Sequence, residues 1–321
     1  MSTRLEPKLT STVVIATRNR PDPLRETLQS LNRQSLLPDL VVIVDSSDSE
    51  DSRVVVDRLQ PALKFPLVYT HTLIRGAAYQ RNLGAQQTEN DLIFFLDDDV
   101  ILEKDFLKEL SHVFECDQEG RVGAVSGTIT NQPFVPLSPL NRVLLFLFTG
   151  IWSSNLAGRV VGPGVCFLPD DDGDGVRQVE WLPTTGAAYR RSVFVRFWFD
   201  EKIPYPLEDL HLSVRVAQHY QLMNTSRARL FHCDTGRKTQ RNWFRTGEGI
   251  ILSRHAVAFD VLGRRGFRAL CALFGYELGY TTLALLWNGG RRPNFRQVFE
   301  LQLGKLRGAW RILRGQVLSQ R

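Results

Sequence analysis

From Thr12 to Ile129, short apolar runs alternate with segments whose apolar residues recur every three or four positions. Thr12-Val13-Val14-Ile15-Ala16 predicts a buried strand. Pro23 to Gln34 predicts a helix, with Leu24, Leu28 and Leu31 on one side. Leu40 to Val44 predicts a second strand that ends at Asp45, and a helix follows through Val54-Val55-Val56 to Leu59. Leu67 to Thr70 is a third strand, Gly76 to Gln87 a helix, and Leu92 to Leu96 a fourth strand closed by Asp97-Asp98-Asp99. Lys104 to Phe114 is a helix with Phe106, Leu107, Leu110 and Phe114 on its apolar side, and Gly123 to Ile129 is a fifth strand. Continuous apolar strands alternating with helices predict an α/β fold: a mainly parallel sheet covered on both faces. Such sheets bind ligands beyond the carboxyl ends of their strands, where Asp45 and the acidic triplet lie.

The pattern weakens from Asn131 to Gln178, which is rich in Pro and Gly and reads as irregular. Within it, Asp170-Asp171-Asp172-Gly173-Asp174-Gly175 begins like a calcium loop. Position twelve is Trp181, so the bidentate Glu is missing and an exposed loop is expected. A strand from Val179 to Leu182, a helix from Glu208 to Tyr220 and a strand at Leu230-Phe231-His232 close this part.

Beyond Gly236 the character changes. Ala269 to Trp287 is almost entirely apolar, interrupted by Glu277, with Arg264, Arg265 and Arg268 before it and Arg291 and Arg292 after. A span needs roughly 20 apolar residues, and a buried acid such as Glu277 would cost on the order of 3 kcal/mol in lipid. Helices lying in the bilayer interface are therefore expected in place of a span, with peripheral membrane contact through 264–314. Packing on the protein body is the other reading. The expected division is a domain over 1–235, in halves of about 1–130 and 131–235, then a basic helical extension over 236–321.

Composition refines this picture. With 321 residues, 43% of them hydrophobic, the chain can bury a sizeable core. Its net charge of +6 conceals an asymmetry: residues 236–321 hold 16 basic and 4 acidic residues, a net +12, against −6 for the remainder. A basic tail among apolar stretches points to an anionic surface or substrate. No nucleic-acid motif is present, so no nucleic-acid partner is expected. Cys116, Cys166, Cys233 and Cys271 share no disulfide or metal-ligand spacing, which suits a reducing compartment. Met1 to Thr10 is polar and charged, unlike a secretory signal. The expected location is the cytoplasm, at the cytoplasmic face of a membrane.

Polar residues punctuate the apolar elements at Thr17-Arg18-Asn19-Arg20, Asp45, Arg81-Asn82, Asp97-Asp98-Asp99, Glu208-Asp209 and His232. Three carboxylates at a strand end repel one another unless a cation sits there. Hard oxygen ligands suit Mg²⁺ or Mn²⁺ holding a phosphorylated ligand. A solvated turn leading into the acidic start of a helix fits the triplet alone equally well. Singly, Arg18 and Arg20 also read as solvated loop residues, and Asp45 as the start of a turn.

The order of these motifs resembles that of family 2 glycosyltransferases with the GT-A fold. The resemblance spans about Thr12 to Asp234. It is carried by Val14-Ile15-Ala16-Thr17-Arg18-Asn19-Arg20-Pro21, Val42-Ile43-Val44-Asp45, Ala77 to Gly84, the DxD motif Asp97-Asp98-Asp99, Thr185 to Arg191, and Glu208-Asp209-Leu210. It implies an inverting transfer of a sugar from a nucleotide-diphosphate donor to a glycan or lipid-linked acceptor. In that reading Thr17, Arg18, Arg20, Asp45, Arg81, Asn82, Asp97, Asp98 and Gly186 hold the nucleotide-sugar, with Asp45 facing the base and Asp97 the ribose. Asp99 and His232 bind Mg²⁺ or Mn²⁺. Asp209 is the general base, kept ionised by the helix N-terminus, with Glu208 in a supporting role.

Gly236 to Trp243 is reminiscent of the Gln-Arg-Trp motif of processive synthases, but Gln240 directly precedes Arg241 and Asn242 separates Arg241 from Trp243. That spacing argues against a processive synthase. Arg241 is expected on a lid near the diphosphate, with a solvated basic loop as the equal alternative. Two alternatives stand beside the transferase: a sugar nucleotidyltransferase, and a non-catalytic membrane-associated protein that binds sugar nucleotides.

Overall fold

The computed structural model describes residues 9–153, 155–171, 175–233, 242–283 and 295–316. Its strands are β1 (Ser11–Thr17), β2 (Leu40–Asp45), β3 (Leu67–His71), β4 (Leu92–Asp97), β5 (Val100–Leu102), β6 (Val122–Ile129), the short pair β7 (Val160–Val161) and β8 (Val165–Cys166), β9 (Val176–Val179), β10 (Gly186–Arg190) and β11 (Gln221–His232). The helices of the first part are α1 (Pro21–Leu31), α2 (Asp51–Leu59), α3 (Ala77–Ala85), α4 (Phe106–Glu115), α5 (Pro139–Thr149) and α6 (Glu208–Val216).

The central sheet runs β3-β2-β1-β4-β10-β6-β11-β5, with β9 paired to β11. Strands β1 to β4 are mutually parallel, as the uninterrupted Val, Ile and Phe runs predict. Strand β6 and most of β11 continue that direction, while β10, β5 and β9 oppose it. Alternate residues of each strand face opposite sides. Val13 and Ile15 meet Leu24, Leu28, Leu31 and Phe106. Val14, Val42 and Val44 meet Ala78, Ala85, Leu212 and Val216. The sheet is thus covered on both faces, as its apolar strands require.

Several local expectations give way to tertiary structure. The segment 131–178 is not uniformly irregular. It contains α5, whose N-cap Ser138 accepts from the Asn141 N–H at 3.2 Å, with a Pro at the first helical position. The strand expected at Val179–Leu182 lies earlier, at β9. Helix α6 stops at Val216, four residues short of Tyr220. Strand β11 is far longer than the Leu230–His232 run that announces it.

Strand β10 is the consequential addition. It inserts antiparallel between β4 and β6, pairing Gly186 with Leu96 and Ala188 with Val125. Gly186 is needed for packing there: a Cβ would stand 2.2 Å from Leu230 Cδ2 and 2.9 Å from Phe106 Cζ.

The C-terminal part comprises α7 (Trp243–His255), α8 (Phe267–Phe274) and α9 (Phe295–Leu313). Wide π-helical turns follow α7 (Ala256–Val261) and α8 (Gly275–Tyr280). No described helix is long and apolar enough to cross a membrane. Val257 joins Trp181, Leu210 and Val214 in one cluster, so this part packs directly on α6.

Glu277, the acid that interrupts the apolar stretch, is 1% exposed and lies inside protein. Arg254 Nε stands 2.5 Å from its Oε1 and Lys305 Nζ 2.7 Å from its Oε2. Burial alone would raise its pKa, but Arg254 and Lys305 outweigh it and hold the carboxyl below its usual range. Glu277→Gln leaves two buried cations without their counter-charge and is expected to lose about 3–5 kcal/mol in urea unfolding at pH 7. A lowered folded pKa adds stability above the ordinary carboxylate range and loses it as pH falls through the folded value. The gap between wild type and variant should therefore narrow in acid.

Candidate functional site

Parallel pairing brings the site together. Ala16 of β1 is in register with Asp97 of β4, and Thr17 with Asp45 of β2, so three neighbouring carboxyl ends carry polar residues to one rim. The chain after Asp97 turns at once into β5, which pairs antiparallel with the end of β11, Val100 opposite His232. The Cys233 N–H donates to the Asp99 carbonyl at 2.8 Å. This pairing sets His232 beside Asp99, some 130 residues earlier in sequence.

The three acids take different partners. Asp98 is buried, accepting from Thr17 Oγ1 at 2.6 Å and Arg20 Nη1 at 2.7 Å. Asp99 is also buried. Its Oδ2 accepts from Arg20 Nη2 at 2.6 Å, and its Oδ1 lies 3.2 Å from His232 Nε2. Burial opposes its charge, but His232 and Arg20 prevail and hold its pKa below the usual range. Asp97 is the most exposed of the three and accepts from Arg81 Nη2 at 3.0 Å. Ligating atoms of Asp97, Asp99 and His232 lie within 4.8 Å of one another. Two carboxylates and an imidazole suit Mn²⁺ better than Mg²⁺, which prefers oxygen ligands alone. Asp97 thereby joins the pair Asp99 and His232 as a possible ligand.

Arg81 crosses from α3 beneath the triplet. Its other arm, Nη1, donates to Glu208 Oε1 at 2.9 Å at the start of α6. Burial disfavours the guanidinium charge, but Asp97 and Glu208 reverse that and raise its pKa. Glu208 is committed to this bridge, and its Oε2 has no hydrogen-bond partner among the described residues. The next residue, Asp209, accepts from the Leu210 N–H through Oδ1 at 2.7 Å. The helix start was expected to favour the ionised form of Asp209. Burial, reinforced by the Glu208 carboxylate, outweighs Arg81 and the Leu210 N–H, so its pKa is raised instead.

The triplet, Arg81 and His232 border a cleft of about 1010 Å³, lined also by Thr17, Arg18, Arg20 and Arg75; Glu208 and Asp209 are not among its lining residues. Not every expected residue reaches it. Asp45 is fully buried. Its Oδ1 takes the Ser47 N–H at 2.7 Å and the Ser47 hydroxyl at 2.5 Å, and its Oδ2 takes the Tyr69 hydroxyl, so both oxygens are engaged within the fold. Asn82 spends its amide on Phe199 and Glu201, tying α3 to that loop. Gly186 lies in the sheet under Leu230 and Phe106. Arg241 falls outside the described residues.

Other residues on the cleft had no role in the sequence reading. Gln80 Nε2 donates to the Thr17 and Val44 carbonyls at 2.9 and 2.8 Å, joining α3 to the ends of β1 and β2. Asn19 has a positive φ of 54°, and its amide clasps Asp48. Gln132 Nε2 lies 3.1 Å from His232 Nδ1. Arg75 pairs with Asp48. Asn19 and Gln80 stand inside quoted motifs, which was the available signal. Gln132 and Arg75 carried none, since only the strand order brings them here.

Comparison with known proteins gives the arrangement its context. Residues 12–146 match the family model for Glycosyl transferase family 2. Succinoglycan biosynthesis protein ExoM of Rhizobium meliloti (strain 1021) is 35% identical over 100 residues, 30% of this chain and 32% of that protein. The uncharacterized glycosyltransferase YwdF of Bacillus subtilis (strain 168) is 31% identical over 103 residues, 32% of this chain and 37% of that protein. The matched region thus spans about a third of the length of these curated relatives. Among solved structures, the mannosyltransferase PcManGT from Pyrobaculum calidifontis in complex with GDP-Man and Mn²⁺ superposes with a TM-score of 0.59. It is 17% identical over 95% of this chain and 88% of that one. GalNAc-T7 with UDP, GalNAc and Mn²⁺ gives a TM-score of 0.59 at 14% identity, over 96% of this chain and 58% of that one. At such identities the likeness concerns the fold alone. Sequence match and architecture agree: residues 12–146 are similar to glycosyl transferase family 2, and they lie in an α/β fold like that of the solved GT-A transferases.

Proposed function

We propose that the protein transfers a sugar, with inversion, from a nucleoside-diphosphate donor to a hydroxyl of a glycan or lipid-linked acceptor. One observation carries this reading. Asp97, Asp99 and His232 converge on an arginine-lined cleft, and a carboxyl with raised pKa, Asp209, lies within electrostatic reach of Asp97 and Arg81. The donor set fits Mn²⁺, in keeping with the Mn²⁺ present in the two solved neighbours. A divalent cation bound by Asp97, Asp99 and His232 would supply positive charge to the donor diphosphate and its departing oxygen.

The chain's own residues do the rest. Arg18 and Arg75, held at the rim by Asp48, offer positive charge to the phosphates. Thr17 and Arg20 keep Asp98 and Asp99 in place. Asp209 takes the acceptor's proton, and because Oδ1 is held by the Leu210 N–H, Oδ2 is the accepting oxygen. The acceptor oxygen bonds to the anomeric carbon as the bond from that carbon to the diphosphate breaks, and the diphosphate leaves with the electron pair. Attack on the face opposite the diphosphate inverts the centre. A raised pKa suits Asp209, because a stronger base takes up a proton more readily near neutrality. Glu208 positions Arg81 and so acts indirectly.

A thermal-shift screen of UDP-, GDP- and dTDP-sugars, each with and without Mn²⁺, tests the donor and metal assignments together. One nucleotide should raise Tm, and only with metal. Saturation at 100 times Kd corresponds to about 2.7 kcal/mol of added stability. No metal-dependent shift with any of the three would reject the donor reading. Pyrophosphate release from a nucleoside triphosphate and a sugar phosphate would assign a nucleotidyltransferase in its place.

A further inference from the structure

Peripheral membrane contact was expected through 264–314, but the described part of its most apolar stretch, 269–287, turns largely into protein. Leu273 packs with Ile251, Leu252, Ala309 and Ile312, and Glu277 is closed off by Arg254 and Lys305. The exposed apolar surface lies one helix later. On α9, Phe295, Phe299, Leu303, Leu306, Trp310 and Leu313 are each at least 40% exposed, and Phe295 reaches 72%. Their spacing of four, four, three, four and three residues confines them to an arc of about 80° at 100° per residue.

Close helix packing enforces this exposure. The opposite side of α9 buries Gly304, Gly308, Ala309 and Ile312 against α7. A Cβ on Gly304 would come within 1.9 Å of the Phe244 carbonyl oxygen, and one on Gly247 within 2.0 Å of the Leu301 carbonyl oxygen. Arg311 pairs with Glu248 of α7 at 2.9 Å, and the buried Lys305 pairs with Glu277. Helix α9 cannot roll its apolar stripe inward without losing these contacts. The edge of the stripe is net basic: exposed Arg296 pairs with Glu300 at 3.0 Å, exposed Arg307 lies 3.6 Å from the Glu248 that Arg311 also pairs with, and Arg314 lies over the Trp310 ring at 4.0 Å. Exposed Arg264, Arg265, Phe267 and Arg268 lead into α8, which shares the Ala309 and Ile312 cluster.

We infer that the outward face of α9 docks on an anionic lipid surface, the helix lying flat with its six large apolar side chains among the acyl chains and its arginines at the headgroups. The stripe is about 27 Å long at 1.5 Å per residue, the dimension of an interfacial helix. Charge decides between lipid and a second copy of the chain. Two such faces brought together would set arginine rims of like sign near one another, whereas anionic headgroups complement them. The inference stands apart from the transferase reading, since binding needs neither donor nor metal.

Flotation of the full chain with phosphatidylcholine vesicles, with and without phosphatidylglycerol, tests it. The wild type should float with the anionic vesicles and bind neutral ones more weakly, and high salt should reduce the difference. The triple variant Phe299→Ser, Leu306→Ser, Trp310→Ser replaces exposed side chains only. With its circular dichroism and Tm unchanged, it should bind at least about tenfold more weakly, as loss of buried apolar area requires. Failure of the wild type to float with anionic vesicles overturns the inference, whatever becomes of the variant. Undiminished flotation of the folded variant, or equal binding to neutral vesicles, overturns it too. A wild-type dimer that the triple variant breaks, without vesicle binding, would assign the face to a second copy.

Discussion

Asp209→Asn is expected to lower kcat by about 10²–10⁴-fold, the usual contribution of a positioned general base, while donor affinity is retained. The amide keeps the size of the side chain and can still accept the Leu210 N–H through its oxygen. It cannot take up a proton from an acceptor hydroxyl. Initial rates at saturating donor, with donor affinity measured separately by calorimetry, separate the two effects. Turnover close to wild type would exclude Asp209 as the base. The wild-type pH profile adds a second readout. A base must be deprotonated to act, so activity rises with pH through its pKa and then levels off. Burial and Glu208 raise that pKa, which places the acid limb above the ordinary carboxylate range, toward neutrality. An acid limb near pH 4, where an unperturbed carboxylate titrates, would contradict the burial argument.

Asp99→Ala is expected to abolish metal-dependent donor binding and to lower kcat/KM by roughly three orders of magnitude, since charge stabilisation by a divalent cation is worth several kcal/mol. Asp99 is the acid shared by His232 and Arg20. Its removal takes one carboxylate from the partly buried Arg20, which still pairs with Asp98, so some loss of stability accompanies the loss of function. Two controls separate these effects. EDTA should reproduce the loss of donor binding in the wild type without altering its urea midpoint, and excess Mn²⁺ should not rescue the variant. Donor affinity unaffected by either the substitution or EDTA would remove the metal from the proposal.

The two substitutions probe opposite ends of one buried chain of charge. Asp97, Arg81 and Glu208 connect the possible metal ligands to the start of α6, where Asp209 lies. Cleft and base are therefore held in fixed relation by α3, the helix that supplies Arg81. Gln80 and Asn82, on either side of it, fasten α3 to the ends of β1 and β2 and to the Phe199–Glu201 loop. These neighbours serve the site by holding Arg81, and neither needs to touch a ligand to do so.

Local pattern was enough to read the first half of the fold. Strands β1, β2 and β4 centre on uninterrupted apolar runs, β3 and β6 on apolar runs broken by residues such as Thr70, Ser126 and Thr128, and α1 and α4 repeat Leu and Phe at helical spacing, so local pattern identifies them. The same pattern placed Asp97 to Asp99 at a strand end and put Glu208 and Asp209 at a helix start. Strand β10 was illegible because Gly186-Ala187-Ala188 has little strand preference of its own and is extended by pairing on both sides. The roles of individual polar residues depended on neighbours far away in sequence. Asp45 turns into the fold because Ser47 and Tyr69 take its oxygens. His232 reaches Asp99 only because β5 and β11 pair. The destination of the basic, apolar C-terminal part was ambiguous for the same reason. Composition gave its charge and its hydrophobicity, which belong to the residues themselves. Which apolar side chains face protein and which face outward was decided by the close approach of α7 and α9 through Gly247 and Gly304, a property of paired surfaces that no single segment contains.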